Sequence, residues 1–263
     1  MSVAIRVRPR TGLAISLAGI VGLVAFLWPF VVVPGRLGST FAPPVLFGVL
    51  LLLVLAVVFA EIADGGIDSK AVAMLGVLSA VNAALRPLGA GTAGIETVFF
   101  VLVLAGRVFG PGFGFTLGCT SLFASSVITG AMGPSTPYQM FGCAAVGLGA
   151  GLLPRATGRA EVLLLAVYGA AAGYVFGFLL NLSFWPFFAD PGSSIGYLPG
   201  APFAEQWHRY LLFDVATSLG WDTGRAVTNF VLILLVGPAV LMTFRRAARR
   251  ASFEAPVAFR PAA

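Results

Sequence analysis

Charged residues are scarce in this chain, and their scarcity decides its class. Of 263 residues only 10% are charged and 59% are apolar, with a mean hydropathy of +0.97. Soluble domains carry roughly 25% charged residues, so the composition excludes a soluble domain of this size and predicts a polytopic membrane protein. From Val108 to Pro154 no side chain is charged. About 20 apolar residues cross the hydrocarbon once, so this segment predicts two spans joined by the polar turn at residues 129–139.

Histidine and cysteine are also scarce. The single histidine, His208, excludes a metal site built on several imidazoles. Cys119 and Cys143 lie near the starts of successive antiparallel spans, which predicts different membrane depths and buried thiols rather than a disulfide. The sequence contains no P-loop, Ser-His-Asp set, paired intramembrane acids or HExxH motif. We therefore expect no enzymatic activity, no metal and no cofactor, and the chain cannot power ATP-driven transport by itself.

Uncharged runs predict an all-α polytopic membrane protein with about eight transmembrane helices. The predicted spans are residues 12–33, 43–60, 70–86, 92–107, 112–130, 138–154, 161–182 and 225–244. Either the fourth helix begins near Glu96 and is short, or the Glu96 carboxylate lies at membrane depth. With the N-terminus inside, 12 lysine and arginine residues fall on the inner side and 4 on the outer side. This asymmetry predicts that both termini are cytosolic.

The predicted outer side carries the polar and aromatic residues that suit a ligand. The candidate substrate-binding residues are Arg86, Glu96, Thr136, Tyr138, Gln139, Asn181, Trp185 and Trp207. Thr136, Pro137 and Gln139 fit a capping box, whose helix start would leave backbone N–H groups for a polar or anionic ligand group. The two tryptophans lie in a predicted outer loop, residues 183–224, which either anchors at the membrane surface or covers a ligand. For the membrane-depth amides, interhelical hydrogen bonding is the alternative role.

Three further patterns concern helix surfaces, helix ends and a turn between helices. Gly76, Ala80 and Ala84 recur every four residues and form a smooth stripe, which lets another helix approach closely in lipid. The arginine cluster at residues 245–250 follows the last predicted span and is typical of a stop-transfer signal. The segment Gly110–Gly114 lacks the strand and the acidic residue of a nucleotide loop, so it predicts a tight turn between helices.

Residues 84–154 resemble the substrate-binding (S) components of bacterial energy-coupling factor (ECF) vitamin transporters, particularly the actinobacterial members. The resemblance rests on four runs of sequence. These are Leu85-Arg86-Pro87, Leu104-Ala105-Gly106-Arg107-Val108-Phe109-Gly110-Pro111-Gly112-Phe113-Gly114-Phe115, Thr129-Gly130 with Gly133-Pro134-Ser135-Thr136-Pro137-Tyr138-Gln139-Met140, and Val146-Gly147-Leu148-Gly149-Ala150-Gly151-Leu152-Leu153-Pro154. Residues 84–154 make up about a quarter of the chain, and residues 70–244 match the six helices of that family in outline. The two N-terminal spans have no counterpart in the family.

The resemblance implies three segments and a passive binder. Residues 1–65 would form a two-helix transmembrane extension, residues 66–250 a six-helix S-component-like domain, and residues 251–263 a disordered cytosolic tail. The protein would lie in the bacterial plasma membrane, capture a vitamin from outside, and work with a transmembrane coupling (T) protein and two ABC ATPases. The small-residue stripe would meet the coupling protein. Cobalamin is the favoured cargo, and queuosine-type bases or another vitamin remain open.

Two other functions compete with this interpretation. A stand-alone secondary transporter would show an internal repeat and ionisable residues near the midplane, and the sequence shows no repeat and only Glu96 as an acidic candidate. A non-enzymatic membrane assembly protein is the second alternative, and no sequence pattern excludes it.

Overall fold

The computed structural model describes residues 9–31, 56, 69–89, 94–188, 190 and 192–251. Every element of regular secondary structure in these residues is a helix. They are α1 (Pro9–Phe26), α2 (Trp28–Val31), α3 (Ser69–Gly89), α4 (Val98–Phe109), α5 (Pro111–Ile128), α6 (Thr136–Leu152), α7 (Gly158–Phe188), α8 (Phe203–Thr217), α9 (Leu219–Leu235) and α10 (Gly237–Ala251). The all-α fold class is confirmed. Apart from Ala56 and Ala251, the predicted span 43–60 and the predicted tail lie outside the described residues.

Glycines bring α4, α5 and α6 into backbone contact next to the turn between α4 and α5. A Cβ atom added to Gly147 would lie 2.2 Å from the carbonyl oxygen of Gly114, and one added to Gly106 would lie 2.1 Å from that of Gly147. Real side chains do not approach backbone so closely, so only glycine fits at these contacts. The predicted turn at Gly110 is confirmed: Phe109 ends α4, Gly110 has a φ of 112°, and Pro111 begins α5. Gly106, Gly114 and Gly147, which belong to the runs that carry the resemblance, therefore lie at backbone contacts between helices.

Fewer of the described helices are long and apolar enough to cross a membrane than the sequence predicts. Among the described residues, α5 and α7 are long and apolar enough to cross a membrane, and α9 with α10 adds a third span if this pair, bent by 65°, counts as one. Helix α4 has 12 residues, or about 18 Å, whereas a span needs about 20 residues. It begins at Val98, two residues after Glu96, so the helix is short. The membrane depth of the Glu96 carboxylate stays a prediction. The count of eight spans stays a prediction.

Helix α7 provides a scale for the bundle. No charged residue lies between Glu161 in its first turn and Asn181 near its end. The two positions are 20 residues apart (181 − 161), which is about 30 Å along a helix and equals the hydrocarbon thickness of a typical bilayer. We call the end of the bundle that holds Asn181, Arg86 and Glu96 the outer end, and the end that holds Glu161 the inner end, after their predicted orientation.

The predicted outer loop is wrong in its extent. Helix α7 continues to Phe188, and α8 occupies Phe203–Thr217. Helix α8 buries Gln206, Tyr210 and Phe213, which lie at helical spacing on one face. The charged residues Glu205, Arg209 and Asp214 interrupt this segment, so it resembles a loop in a search for uncharged runs.

The N-terminal helix packs against the main bundle. Ile15, Ala18 and Phe26 of α1 are buried in the same core as α4, α5 and α6. A Cβ atom added to Gly22 would lie 2.1 Å from the ring of Phe141 in α6, so these two helices are in close contact. The described part of the predicted extension is therefore packed as part of one helical bundle.

Both cysteines are free and buried, as predicted. The predicted difference in depth is wrong. Gly118 lies against the backbone of Cys143 and Ala144, so Cys119 and Cys143 occupy the middle of neighbouring helices. The predicted spans placed both residues near helix starts, whereas α5 begins at Pro111 and α6 at Thr136.

Candidate functional site

The arginine at the outer end of α3 is held by an amide. Arg86 Nη2 donates to Gln139 Oε1 at 2.5 Å, and Gln139 Nε2 donates to Ser135 Oγ at 3.3 Å. Arg86 is half-buried. Among the described residues, the other half-buried arginines are Arg107, Arg209, Arg225 and Arg245, and each forms a salt bridge with a carboxylate. Arg86 forms no salt bridge with a described carboxylate. Its guanidinium charge is therefore not balanced by a described anion, and it has N–H donors left for a further partner.

The helix start at residue 136 differs from the predicted capping box. Ser135 occupies the N-cap position and Thr136 is the first helical residue. The buried Thr136 hydroxyl accepts from Gly133 N at 2.9 Å, while Thr136 N donates to Gly133 O at 2.9 Å. Gln139 N donates to Ser135 O, and Pro137 has no N–H. The correction has a physical reason: the hydroxyl closes the preceding turn, so fewer N–H groups stay open for an anion than the sequence predicts.

Tyr138 lies inside the bundle rather than at a surface. Its side chain is 7% exposed and its ring packs against Phe26 of α1 and Phe184 of α7, with ring centroids 5.3 Å and 6.5 Å apart. Tyr138 thus joins α1, α6 and α7. We assign it a supporting role beside Gln139, its neighbour in sequence.

Glu96 belongs to an ion cluster at the same end. Its carboxylate accepts from Arg225 Nε at 2.5 Å, and Arg225 Nη1 donates to Asp222 Oδ1 at 2.6 Å. The Arg225 guanidinium also lies 5.2 Å from the centroid of the Phe176 ring, within cation–π range. Two carboxylates thus share one guanidinium. The ion pair between Glu96 and Arg225 holds α9 against the start of α4.

The aromatic residues at the outer end form one cluster that includes the N-terminal segment. Trp185 is fully buried and donates from Nε1 to Ile195 O at 2.7 Å. Trp207 is 36% exposed, and its ring stacks on Phe203 at 6.2 Å with an interplanar angle of 13°. Phe30 of α2 contacts both Phe203 and Trp207, at 5.1 Å and 5.8 Å between centroids. Of the two predicted tryptophans, Trp207 presents its ring at the surface and Trp185 supports it from within.

Asn181 contacts this cluster through a carboxylate. Asn181 Nδ2 donates to Asp214 Oδ1 at 2.8 Å, which links α7 to α8. Burial raises the pKa of Asp214, although the hydrogen bond from Asn181 opposes the shift. Burial also raises the pKa of Tyr210, whose hydroxyl donates to Phe178 O. Asn181 therefore has a helix-joining role, as in the alternative given for the amides.

Polar side chains line the contact between α3 and α5. Ser79 Oγ and Thr120 Oγ1 lie 2.7 Å apart, and Asn82 Nδ2 donates to Ser121 Oγ at 3.0 Å. Asn82 is 1% exposed, and its Oδ1 has no hydrogen-bond partner. Arg86 lies one helical turn beyond Asn82, so this polar contact leads from the middle of the bundle toward the arginine.

The small-residue stripe faces outward. Gly76, Ala80 and Ala84 are exposed, together with Val77 and Val81 on the same side of α3. A Cβ atom added to Gly76 would have no heavy atom within 4 Å. Among the described residues, the stripe therefore makes none of the close internal helix contacts that the α5 and α6 glycines make.

Three contacts at the outer end were not predicted from the sequence. Asp222 pairs with Arg225 at an i, i+3 spacing, a signal that a search for helical ion pairs would find. Trp28 Nε1 donates to Ser183 O at 3.1 Å, and Tyr197 OH donates to Pro29 O at 3.1 Å. No local sequence pattern predicts these last two contacts, because they join distant parts of the chain.

Among the described residues, no group of three or more His, Cys, Asp or Glu side chains is arranged to hold a metal ion. Comparison of the chain with protein-family models, with curated proteins and with solved structures found no match. Function is therefore inferred from the geometry of the outer end and from the resemblance of residues 84–154.

Proposed function

We propose that the protein is the membrane-embedded substrate-capture subunit of an ECF-type vitamin importer. It binds a vitamin from outside and delivers it inward together with a transmembrane coupling protein and two ABC ATPases. It lies in the bacterial plasma membrane as a multi-pass protein with both termini in the cytosol. Its role is binding, without a catalytic step of its own.

The observation that carries the proposal is the position of Arg86. A half-buried guanidinium is costly unless its charge is balanced, and among the described residues Arg86 has only the neutral Gln139 amide. A ligand with a phosphate, carboxylate or amide group would supply the missing acceptor. Gln139 accepts from one terminal nitrogen and thereby orients the guanidinium toward the ligand. Arg86 is the group that we expect to touch cargo, and Gln139 is the residue that positions it.

The aromatic surface supports a large, partly apolar cargo. Phe203 is 65% exposed and Trp207 is 36% exposed, and they stack next to each other at the outer end. Flat, exposed rings over a buried aromatic support suit the apolar faces of a bulky ligand. Cobalamin, which has both a phosphate and amide groups around a large ring, is the cargo that we propose.

The outward-facing stripe supports a partner in the membrane. Small residues allow close helix approach in lipid, and the exposed side of α3 offers Gly76, Ala80 and Ala84 without a described internal partner. We assign this face to the coupling protein.

Titration of the purified protein with cobalamin in detergent tests the proposal. We expect tight binding by the wild type and a loss of at least about tenfold in R86Q, because a hydrogen bond to a charged group contributes about 1.5–3 kcal/mol. Q139E would place a carboxylate on Arg86 and weaken binding similarly, whereas E205Q, which alters an exposed ion pair of α8, is the matched control. Wild-type affinity in R86Q would remove this arginine from the site.

Uptake into vesicles separates the alternatives. The proposal predicts transport only when the coupling protein and ATPases are present. Transport by the protein alone, driven by an ion gradient, would indicate a secondary transporter. A folded protein that binds no vitamin and still promotes assembly of another membrane complex would indicate an assembly role.

A further inference from the structure

A buried carboxylate is held by two arginines at the inner end of the bundle. Arg107 Nε lies 2.8 Å from Glu161 Oε1, and Arg245 Nη2 lies 2.6 Å and 2.7 Å from the two Glu161 oxygens. The Glu161 side chain is 4% exposed. Arg107 also donates to the carbonyl oxygens of Leu153 and Pro154. The inner ends of α4, α7 and α10 are thereby fixed to one another, and both arginines of the cluster are engaged.

Further arginines surround this cluster and remain exposed. Arg155 and Arg159 flank the start of α7, and Arg246 and Arg250 lie one turn apart on α10. None of these four forms a salt bridge with a described carboxylate. The other described carboxylates belong to the outer end and its loops, so the described part of the inner end has a strong excess of positive charge.

The course of α10 brings apolar and basic residues onto one surface. Helix α10 bends by 65° from α9. Leu241 faces the core and is 2% exposed, whereas Met242 is 63% exposed and lies one turn before Arg246. A helix that turns away from a span, with an exposed apolar residue followed by arginines, is suited to the boundary between acyl chains and headgroups.

We propose that Arg246 and Arg250, together with Arg155 and Arg159, bind the phosphate headgroup of an anionic phospholipid in the inner leaflet, with Met242 against its acyl chain. Guanidinium groups bind phosphate oxygens through paired N–H donors. The inference depends on the proposed membrane embedding and orientation, and it is independent of the cargo. Since Arg245 is already engaged by Glu161, the arginines of α10 that we assign to the lipid are Arg246 and Arg250.

The probe is phosphatidylglycerol, compared with phosphatidylcholine as the neutral lipid of matched chain length. Full-length protein is taken from vesicles that contain equal amounts of the two lipids, and the retained lipids are counted by native mass spectrometry. We expect retention of phosphatidylglycerol by the wild type. R246Q/R250Q should lower its affinity about tenfold or more, because each basic residue near an anionic surface strengthens binding about fivefold. R246K/R250K is the charge-preserving control and should retain most of the affinity.

Several outcomes would overturn the assignment. Equal retention of both lipids by the wild type would show that no anionic headgroup site exists. Unchanged phosphatidylglycerol affinity in R246Q/R250Q would exclude this face of α10. If that variant retained phosphatidylglycerol but lost co-purification with the ATPases, the surface would be a protein-docking site. Cobalamin titration of the same variants distinguishes these outcomes from failure of the capture function, since the lipid measurement does not depend on cargo.

Discussion

Trp28 Nε1 donates a hydrogen bond to Ser183 O at 3.1 Å across 155 positions of sequence. The Trp28 ring also stacks on Phe187 at 5.5 Å. Helix α2 is thus attached to the outer end of α7, close to the aromatic cluster. The N-terminal segment, which has no counterpart in the family that the chain resembles, stabilises the end of the bundle where we place the cargo.

The first prediction concerns this attachment. W28F keeps a ring but loses the N–H donor, so we expect a loss of about 1 kcal/mol in the free energy of unfolding. W28A should lose roughly 3–5 kcal/mol, because it also removes a buried ring. Thermal unfolding in detergent measures both changes. Wild-type stability in W28A would show that α2 is not docked on α7.

The second prediction concerns the inner ion cluster. E161Q leaves two guanidiniums without their shared carboxylate, and we expect a loss of about 3–5 kcal/mol. E205Q breaks an exposed i, i+4 pair with Arg209 and should cost less than about 1 kcal/mol. Chemical denaturation of the two variants tests the contrast. Equal effects would mean that the cluster contributes no more than a surface pair.

The third prediction concerns the glycine contacts. G147A would place a Cβ atom 2.2 Å from Gly114 O, and the helices must separate to accept it. We expect destabilisation of about 1–3 kcal/mol or more. G76A is the matched control, because its Cβ atom meets nothing within 4 Å and alanine favours a helix by up to about 1 kcal/mol. Similar melting temperatures for G147A and wild type would contradict the packing.

The fourth prediction concerns pH. Burial raises the pKa of Asp214 in the folded state, so the protonated form is favoured by folding. The stability contributed by Asp214 is then fully present below its unfolded pKa of about 4, and it is lost as the pH rises through the folded pKa. D214N keeps an acceptor for Asn181 and removes the titration. Its melting temperature relative to wild type should therefore increase from pH 4 to pH 7, and a constant difference would contradict the assignment.

The fifth prediction concerns the stripe on α3. A80L places a bulky side chain on an exposed surface, so folding and cobalamin binding should be unchanged while co-purification with the coupling protein is lost. Binding titration and affinity co-purification read the two effects separately. Lost cargo binding with normal assembly would refute the partner role of the stripe.

Local sequence patterns predicted the helices better than the contacts. The turn at Gly110 and the helix starting near Thr136 were predictable because proline fixes φ at a helix start and glycine accepts the positive φ of the turn. Helix α8 was missed because three charged residues, Glu205, Arg209 and Asp214, interrupt its apolar pattern. In a search for uncharged runs, such a segment resembles a loop.

The candidate site was predictable only as separate residues. Arg86, Gln139 and Glu96 were each identified at span ends, but their partners depend on tertiary packing. Glu96 pairs with Arg225 across 129 positions, and no local period encodes that distance. The assignment of Glu96 and Asn181 to cargo binding therefore stays a prediction, whereas the structure places both in contacts that join helices.

The central claim is most directly tested by mass spectrometry of small molecules retained by the purified protein, after expression in cells supplied with mixed vitamins. We predict one vitamin, cobalamin, at a stoichiometric amount in the wild type and a much smaller amount in R86Q. A folded wild-type protein that retains no vitamin and gives no signal on direct titration with cobalamin would contradict the account.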